Sequence, residues 1–358
     1  MTGCRWRVGA GLVAAVMAVA LAGCSEDGGK GGLTVGLLLP SRAVPRWEHS
    51  DKPLIEKRVK ELCSDCRVVY ANAENDAVSQ RQQMNSMITN GVSALILDVV
   101  DPKALRSSVR AADRAGIPVI AYDRLAEGPI SGFVSFDGGK VGRLQGEALL
   151  KGMGARADGG GVVMVNGDPS SPNAAWYEGG ARSVLRHKVR ILKSYNTLGW
   201  RTENAHDHMS EAISTLGTNQ IDGVLAANDS IAAGVIAALK SAHMSPLPPV
   251  TGQDADLDAV QRIVKGEQYM TVYKPFRQET DAASAMAVAL AHGNDIGVLV
   301  TTTVDSPTTR NVPALLLEPV PVTAETIGRT LVRDGVYSVD QICTPKLRPA
   351  CERVGLAR

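Results

Sequence analysis

Two hydrophobic rhythms alternate along this chain. Short apolar runs at 33–39, 94–98 and 118–122 are too brief for a helical period and read as buried strands. Between them, 47–61, 77–90 and 103–115 place apolar residues at helical spacing. Pro53 forces a start or a kink in the first of these helices, and Asn90-Gly91 is a natural stop for the second. After a link at 125–132 and a strand at 133–137 the alternation resumes. Strands are expected at 161–166, 189–193, 223–226 and 268–273, and helices at 141–150, 174–186, 203–216, 230–240 and 276–291. A late strand at 314–317 and a helix at 323–332 close the pattern. Such alternation predicts an α/β chain with parallel sheets covered by helices on both faces, here in two successive runs.

The chain is organised around Thr251-Gly252-Gln253-Asp254-Ala255-Asp256-Leu257, which reads as a strand end, a turn and a helix start. Tyr122-Asp123-Arg124 repeats that grammar far upstream. In open parallel sheets, ligands sit at the carboxyl ends of strands, so two strand-end acids suggest two lobes facing one ligand. An Asp at such a place also serves as a plain turn or capping residue.

The first residues change where this protein is expected to work. Arg5 and Arg7 precede an apolar run at 8–20, and Leu21-Ala22-Gly23-Cys24 then looks like the processing motif of bacterial lipoproteins. That resemblance implies a signal peptide over 1–24, a lipidated Cys24 and a membrane-anchored, extracytoplasmic protein. Residues 25–32, polar and Gly-rich, suit a flexible tether. Of the six cysteines, Cys63, Cys66, Cys343 and Cys351 remain beyond this segment. In an exported chain, disulfides pairing Cys63 with Cys66 and Cys343 with Cys351 are the simplest account, and no ligand spacing points to a metal.

The 358 residues suffice for two domains, and 38 basic against 37 acidic residues give a formal net charge of +1, which argues against nucleic acid as a partner. No nucleotide, phosphate or nucleophile motif appears, so neither a cofactor nor an enzyme activity is expected.

Six stretches in order resemble the periplasmic sugar-binding proteins of ABC transporters, most closely the D-xylose-binding branch. They are Ala121-Tyr122-Asp123-Arg124, Val134-Ser135-Phe136-Asp137, Gly199-Trp200, Asn228-Asp229-Ser230, the stretch from Gly252 to Leu257, and Met270-Thr271-Val272-Tyr273-Lys274-Pro275. The resemblance implies two similar doubly wound parallel-sheet lobes joined by a three-crossing hinge, the type I periplasmic binding protein fold. It puts the crossings near Ser135, Lys274 and Val312, one lobe at 33–135 plus 275–311, the other at 136–274 plus 312–340, and a tail at 341–358. It further implies a monomer that captures D-xylose or a related aldose and delivers it to an ABC permease and its ATPase. Glucose, galactose or arabinose, or a sensing role toward a membrane receptor, are alternatives. A DNA-binding regulator shares the fold but needs a basic, DNA-reading amino terminus.

Carried over residue by residue, the ligand set is Arg46, Trp47, Asp123, Arg124, Asn173, Trp200, Asn228, Asp254 and Lys274. Acids, amides and cations match sugar hydroxyls, and indole planes match the ring faces. Asp229 reads as a helix cap, and Asp98 and Asp101 as lesser candidates. Two loops depart from the family pattern: Pro40 to Pro45 lacks the usual acids, and Asp168 to Pro172 lacks the usual run of Asn.

Overall fold

The computed structural model describes Met1 and residues 32–357. The expected signal peptide, Cys24 and most of the tether lie outside the described residues. Among those described, no helix is long and apolar enough to cross a membrane.

The first half of the chain forms β1 (Thr34–Leu39), α1 (Lys52–Leu62), β2 (Arg67–Asn72), α2 (Ala77–Thr89), β3 (Ala94–Leu97), α3 (Pro102–Arg114), β4 (Val119–Tyr122) and β5 (Gly132–Phe136). Then come α4 (Gly138–Met153), β6 (Gly161–Asn166), α5 (Pro172–Leu185), β7 (Arg190–Asn196), α6 (Thr202–Leu216), β8 (Gly223–Ala226), α7 (Asp229–Ser241), α8 (Leu257–Lys265) and β9 (Thr271–Tyr273). The chain finishes with α9 (Phe276–Ala291), β10 (Thr302–Val304), β11 (Val312–Leu317), β12 (Val320–Val322), α10 (Val339–Ile342) and α11 (Arg348–Arg353).

Two sheets define two lobes. The first has the order β10-β11-β5-β4-β3-β1-β2, parallel except for β10 at its edge. The second has β6 at its centre, flanked by β7 and β8 in parallel. Strands β1, β3, β4 and β6 are buried almost throughout, as strands covered on both faces must be. Edge strands β2 and β7 are more exposed. The 250–254 stretch continues the second sheet. Thr251 N–H donates to Val224 O at 3.1 Å on one side, and Val272 N–H donates to Gly252 O at 3.2 Å on the other. That ladder carries Asp254 to a strand end and links β8 to β9.

The chain passes between lobes at Asp137, at Lys274-Pro275 and at Glu318-Pro319. The first two lie beside the positions that the resemblance named. The third corrects it: Val312–Leu317 belongs to the first lobe, where Leu315 registers with Val134 in a parallel pair. The hydrophobic alternation of β11 could not reveal which sheet it joins. The expected strand at 268–273 shortens to Thr271–Tyr273. The expected helix at 323–332 shortens to a wide turn at Gly328–Val332.

The carboxyl-terminal segment, as far as residue 357, packs onto the second lobe. Ile342, Cys343, Ala350 and Cys351 are buried in one cluster with Val260, Ile263 and Val264 of α8 and with Tyr273 and Phe276 beside the hinge. Cys63 is bonded to Cys66 and Cys343 to Cys351, with Cα separations of 5.2 and 5.9 Å.

Candidate functional site

Pro53 sits in the first turn of α1, where its missing N–H costs nothing. Ahead of it, Trp47–Asp51 winds as a wider turn, closed by Lys52 N–H donating to Trp47 O. This turn brings Trp47 to the cleft and sends Arg46 beneath it.

Val44, Trp47, Asp123 and Arg124 from the first lobe, and Ser171, Asn173, Tyr177, Trp200, Asn228, Gln253 and Asp254 from the second, line one cavity together with Lys274 of the hinge. The cavity is small, and polar and aromatic side chains of both lobes converge on it, the makeup of a small-molecule site. Eight of the nine residues expected at the site line this cavity.

Arg46 is the exception and a correction. Its guanidinium is fully buried behind the cavity, between the rings of Trp47 and Phe276 at 4.3 and 4.7 Å. It donates to Asp51 Oδ2 at 2.8 Å, to Asp123 Oδ2 at 2.9 Å and to Glu279. With its donors turned to carboxylates, Arg46 is a counter-ion for the site's acids and not a lining donor. Nothing in the sequence marks Glu279, on an Ala-rich helix, as the partner that draws it inward.

Asp123 is the hub. It has φ of 57° and donates its N–H to Val134 O at 2.8 Å. Lys274 Nζ lies 3.2 Å from its Oδ2, and Asn173 of the other lobe donates to its Oδ1 at 2.7 Å. Lys274 also lies 3.0 Å from Asp254 Oδ1, so one ammonium bridges the two strand-end acids. Burial works against the charge of Asp123, yet Lys274, Arg46 and Arg124 hold its carboxyl down to about 2. Arg124 is steadied from behind, donating to Val99 O at 3.2 Å with Asp98 3.4 Å from its Nε. Asp101 caps α3, accepting from the N–H groups of Lys103 and Ala104.

In the second lobe the capping role falls to Asn228, whose Oδ1 accepts from Ile231 N–H at 3.0 Å while Nδ2 faces Asp254 Oδ2 at 3.4 Å. Asp229, expected to cap, instead binds the 252–271 region. It accepts from Gln268 Nε2 at 2.8 Å, Thr271 Oγ1 at 2.9 Å and Asp256 N–H at 3.0 Å. Gly252 makes room for this: a Cβ there would lie 2.0 Å from Asp229 Oδ1. Gly167 serves Trp200 likewise, since a Cβ would meet the indole at 2.0 Å. Tyr177, Ser171 and Gln253 also line the cavity but were not expected there. Tyr177 was within reach of the sequence, because it lies one helical turn after Asn173 on the same face.

Several buried polar atoms of lining residues have no hydrogen-bond partner among the described residues. They are Nε1 of Trp47 and Trp200, Oγ of Ser171, Oδ1 of Asn173 and Oε1 of Gln253. A buried polar atom without a partner is costly, so this set of donors and acceptors calls for a ligand bearing both. Among the described residues, only Cys63, Cys66 and His292 bring three potential metal ligands together, and the two cysteines are spent on a disulfide.

Asp229 and Asp123 give opposite pH dependences. Burial pushes Asp229 up to about 7, against the pull of Arg262 and with help from Asp254. Between about 4, the usual unfolded carboxylate value, and about 7, native Asp229 holds a proton that the unfolded chain has released, so its contribution grows as pH falls through that window. Asp123, depressed to about 2, contributes above about 4 and loses that contribution as pH falls toward 2. Calorimetry should therefore show Tm rising from pH 8 to about 5 and falling below about 4. Asp229→Asn should flatten the upper slope; an unchanged slope would rule Asp229 out as its source.

Two lobes closing acids, amides and indoles over one small polar cavity define a solute-binding protein. The chain belongs to the periplasmic binding protein family, whose domain matches residues 35–295. It is 32% identical over 314 residues to the D-xylose-binding periplasmic protein of Escherichia coli K12, covering 86% of this chain and 92% of that one. It is 31% identical to a multiple sugar-binding periplasmic receptor of Rhizobium radiobacter, over 93% and 97% of the two chains. A solved ABC transporter solute-binding protein from Clostridium phytofermentans, with β-D-glucose bound, superposes with a TM-score of 0.80 at 30% identity, over 86% of this chain and 99% of that one. These relatives are binding proteins, not enzymes, and this chain is of their kind.

Proposed function

We propose that this protein is a lipid-anchored, extracytoplasmic receptor, acting as a monomer, that captures D-xylose or a close aldose and delivers it to an ABC permease and its ATPase. The observation that carries the reading is the cavity itself. It joins two strand-end carboxylates, three amides, two cations and two indoles, and five lining residues hold buried polar atoms without protein partners. A sugar hydroxyl both donates and accepts, and a pyranose face is apolar, so one monosaccharide meets all of these needs. The likeness to the D-xylose-binding protein favours a pentose. A second reading, glucose, is favoured by the ligand of the Clostridium structure. Thermal shift across D-xylose, L-arabinose, D-glucose and D-galactose decides between them. The largest shift should come with D-xylose. A larger one with glucose selects the second reading, and no shift with any overturns the sugar assignment.

Asp254→Ala should weaken binding about ten- to hundredfold, the roughly 1.5–3 kcal/mol of a charge-assisted hydrogen bond, by calorimetric titration. The anchor is tested separately. Cys24→Ala should release the protein from the membrane fraction or leave its precursor uncut, and normal processing with unchanged retention would count against lipidation.

A further inference from the structure

Asp254 and Ala255 have φ of 96° and 56°, two consecutive L residues in the region that favours glycine. Such backbone does not hold itself; the surroundings must over-determine it. Two ties come from the second lobe. Asp254 N–H donates to Val272 O at 2.9 Å, and Ala255 N–H donates to Thr271 Oγ1 at 3.2 Å. The third comes from the carboxyl-terminal segment, where Tyr337 Oη donates to Ala255 O at 3.1 Å. The same segment encloses the Ala255 methyl, fully buried in one cluster with Ile342, Cys343 and Cys351.

That segment is itself rigid. Ser338 and Gln341 cap α10 reciprocally, Gln261 of α8 donates to Gln341 O at 3.0 Å, and the Cys343–Cys351 disulfide closes the end. No described residue of the segment lines the ligand cavity; the segment meets the site through this contact with the strained turn. We infer that Tyr337 is a positioning residue: with the disulfide-closed segment, it holds the strained Asp254-Ala255 turn so that the Asp254 carboxylate faces the ligand. The inference rests on the reading of the cavity as a sugar site, and it adds to that site an element drawn from outside the two sheets.

Tyr337→Phe removes only the hydroxyl and keeps the ring. Hydrogen exchange reads the turn directly, whether or not any sugar binds. In Tyr337→Phe, amides of 254–256 should exchange at least tenfold faster, with those of β6 unchanged. Affinity for the best sugar of the panel should fall about tenfold in the wild-type background and not at all in Asp254→Asn. Cys343→Ser with Cys351→Ser should act in the same direction. Unchanged exchange at 254–256 in Tyr337→Phe overturns the inference. So does an equal loss of affinity in both backgrounds, which would mark a general structural role. Absence of binding by the wild type to every sugar would fail the functional reading alone, and the exchange result would still decide for or against Tyr337.

Discussion

Arg46→Met is expected to destabilise this protein by about 3–5 kcal/mol, the usual cost of removing one partner from a buried ion cluster. The guanidinium answers Asp51, Asp123 and Glu279 at once, and all three are buried. Methionine fills much of the volume between Trp47 and Phe276 but leaves those carboxyls without their cation. Burial already pushes Glu279 and Asp51 upward against the pull of Arg46, and neighbouring Asp123 adds to the push. Lysine should rescue poorly, since a single ammonium cannot reproduce a planar fork reaching three partners. Glu279→Gln in the Arg46→Met background should recover part of the loss. Urea unfolding measures each variant, and a loss under about 1 kcal/mol for Arg46→Met would show that the cluster is dispensable.

Asp123→Ala is expected to be the most damaging single change for binding, at about 2–5 kcal/mol, or roughly thirty- to several-thousandfold in Kd. Asp254 touches the hinge lysine and a neighbouring amide, and Arg46 stands 3.7 Å away. Asp123 touches that lysine, Arg46 and, across the cleft, Asn173. Its loss removes a ligand contact and a direct tie between lobes, so the open–closed equilibrium should move as well as the affinity. A ligand shifts that equilibrium only by its differential affinity for the two states. Small-angle scattering should show the wild type compacting with sugar and Asp123→Ala compacting only at far higher concentration. Wild-type affinity in the mutant would remove Asp123 from the site. Binding by the wild type without compaction would end the closure mechanism.

Much of this was legible in the residues. Buried strands in a parallel sheet read as unbroken apolar runs, so β1, β3, β4 and β6 stood out, and the acids Asp123 after β4 and Asp254 in the 251–257 stretch pointed to the cleft. Trp200 and Lys274 stood in stretches that resemble the family, and Trp47 was carried over from the same resemblance. What escaped depends on distance in the chain. Whether Arg46 faces a ligand or a carboxylate is decided by Glu279, more than two hundred positions later. Whether Asn228 or Asp229 caps α7 depends on Gln268 and Thr271, which claim Asp229 first. The sheet that receives β11 is set by its parallel pairing with β5, and no local pattern carries that choice.

That pairing has a consequence for the order in which the protein can be made. The first lobe is interrupted: β5 leaves it, the whole of β6 to β9 intervenes, and only then does β11 return to lie along β5. As the chain emerges amino end first, β5 is the unprotected margin of a growing sheet until Val312 arrives. Exposed strand margins invite pairing with other chains. The early lobe must therefore wait, incomplete, while its later neighbour is already able to form its own three-stranded sheet.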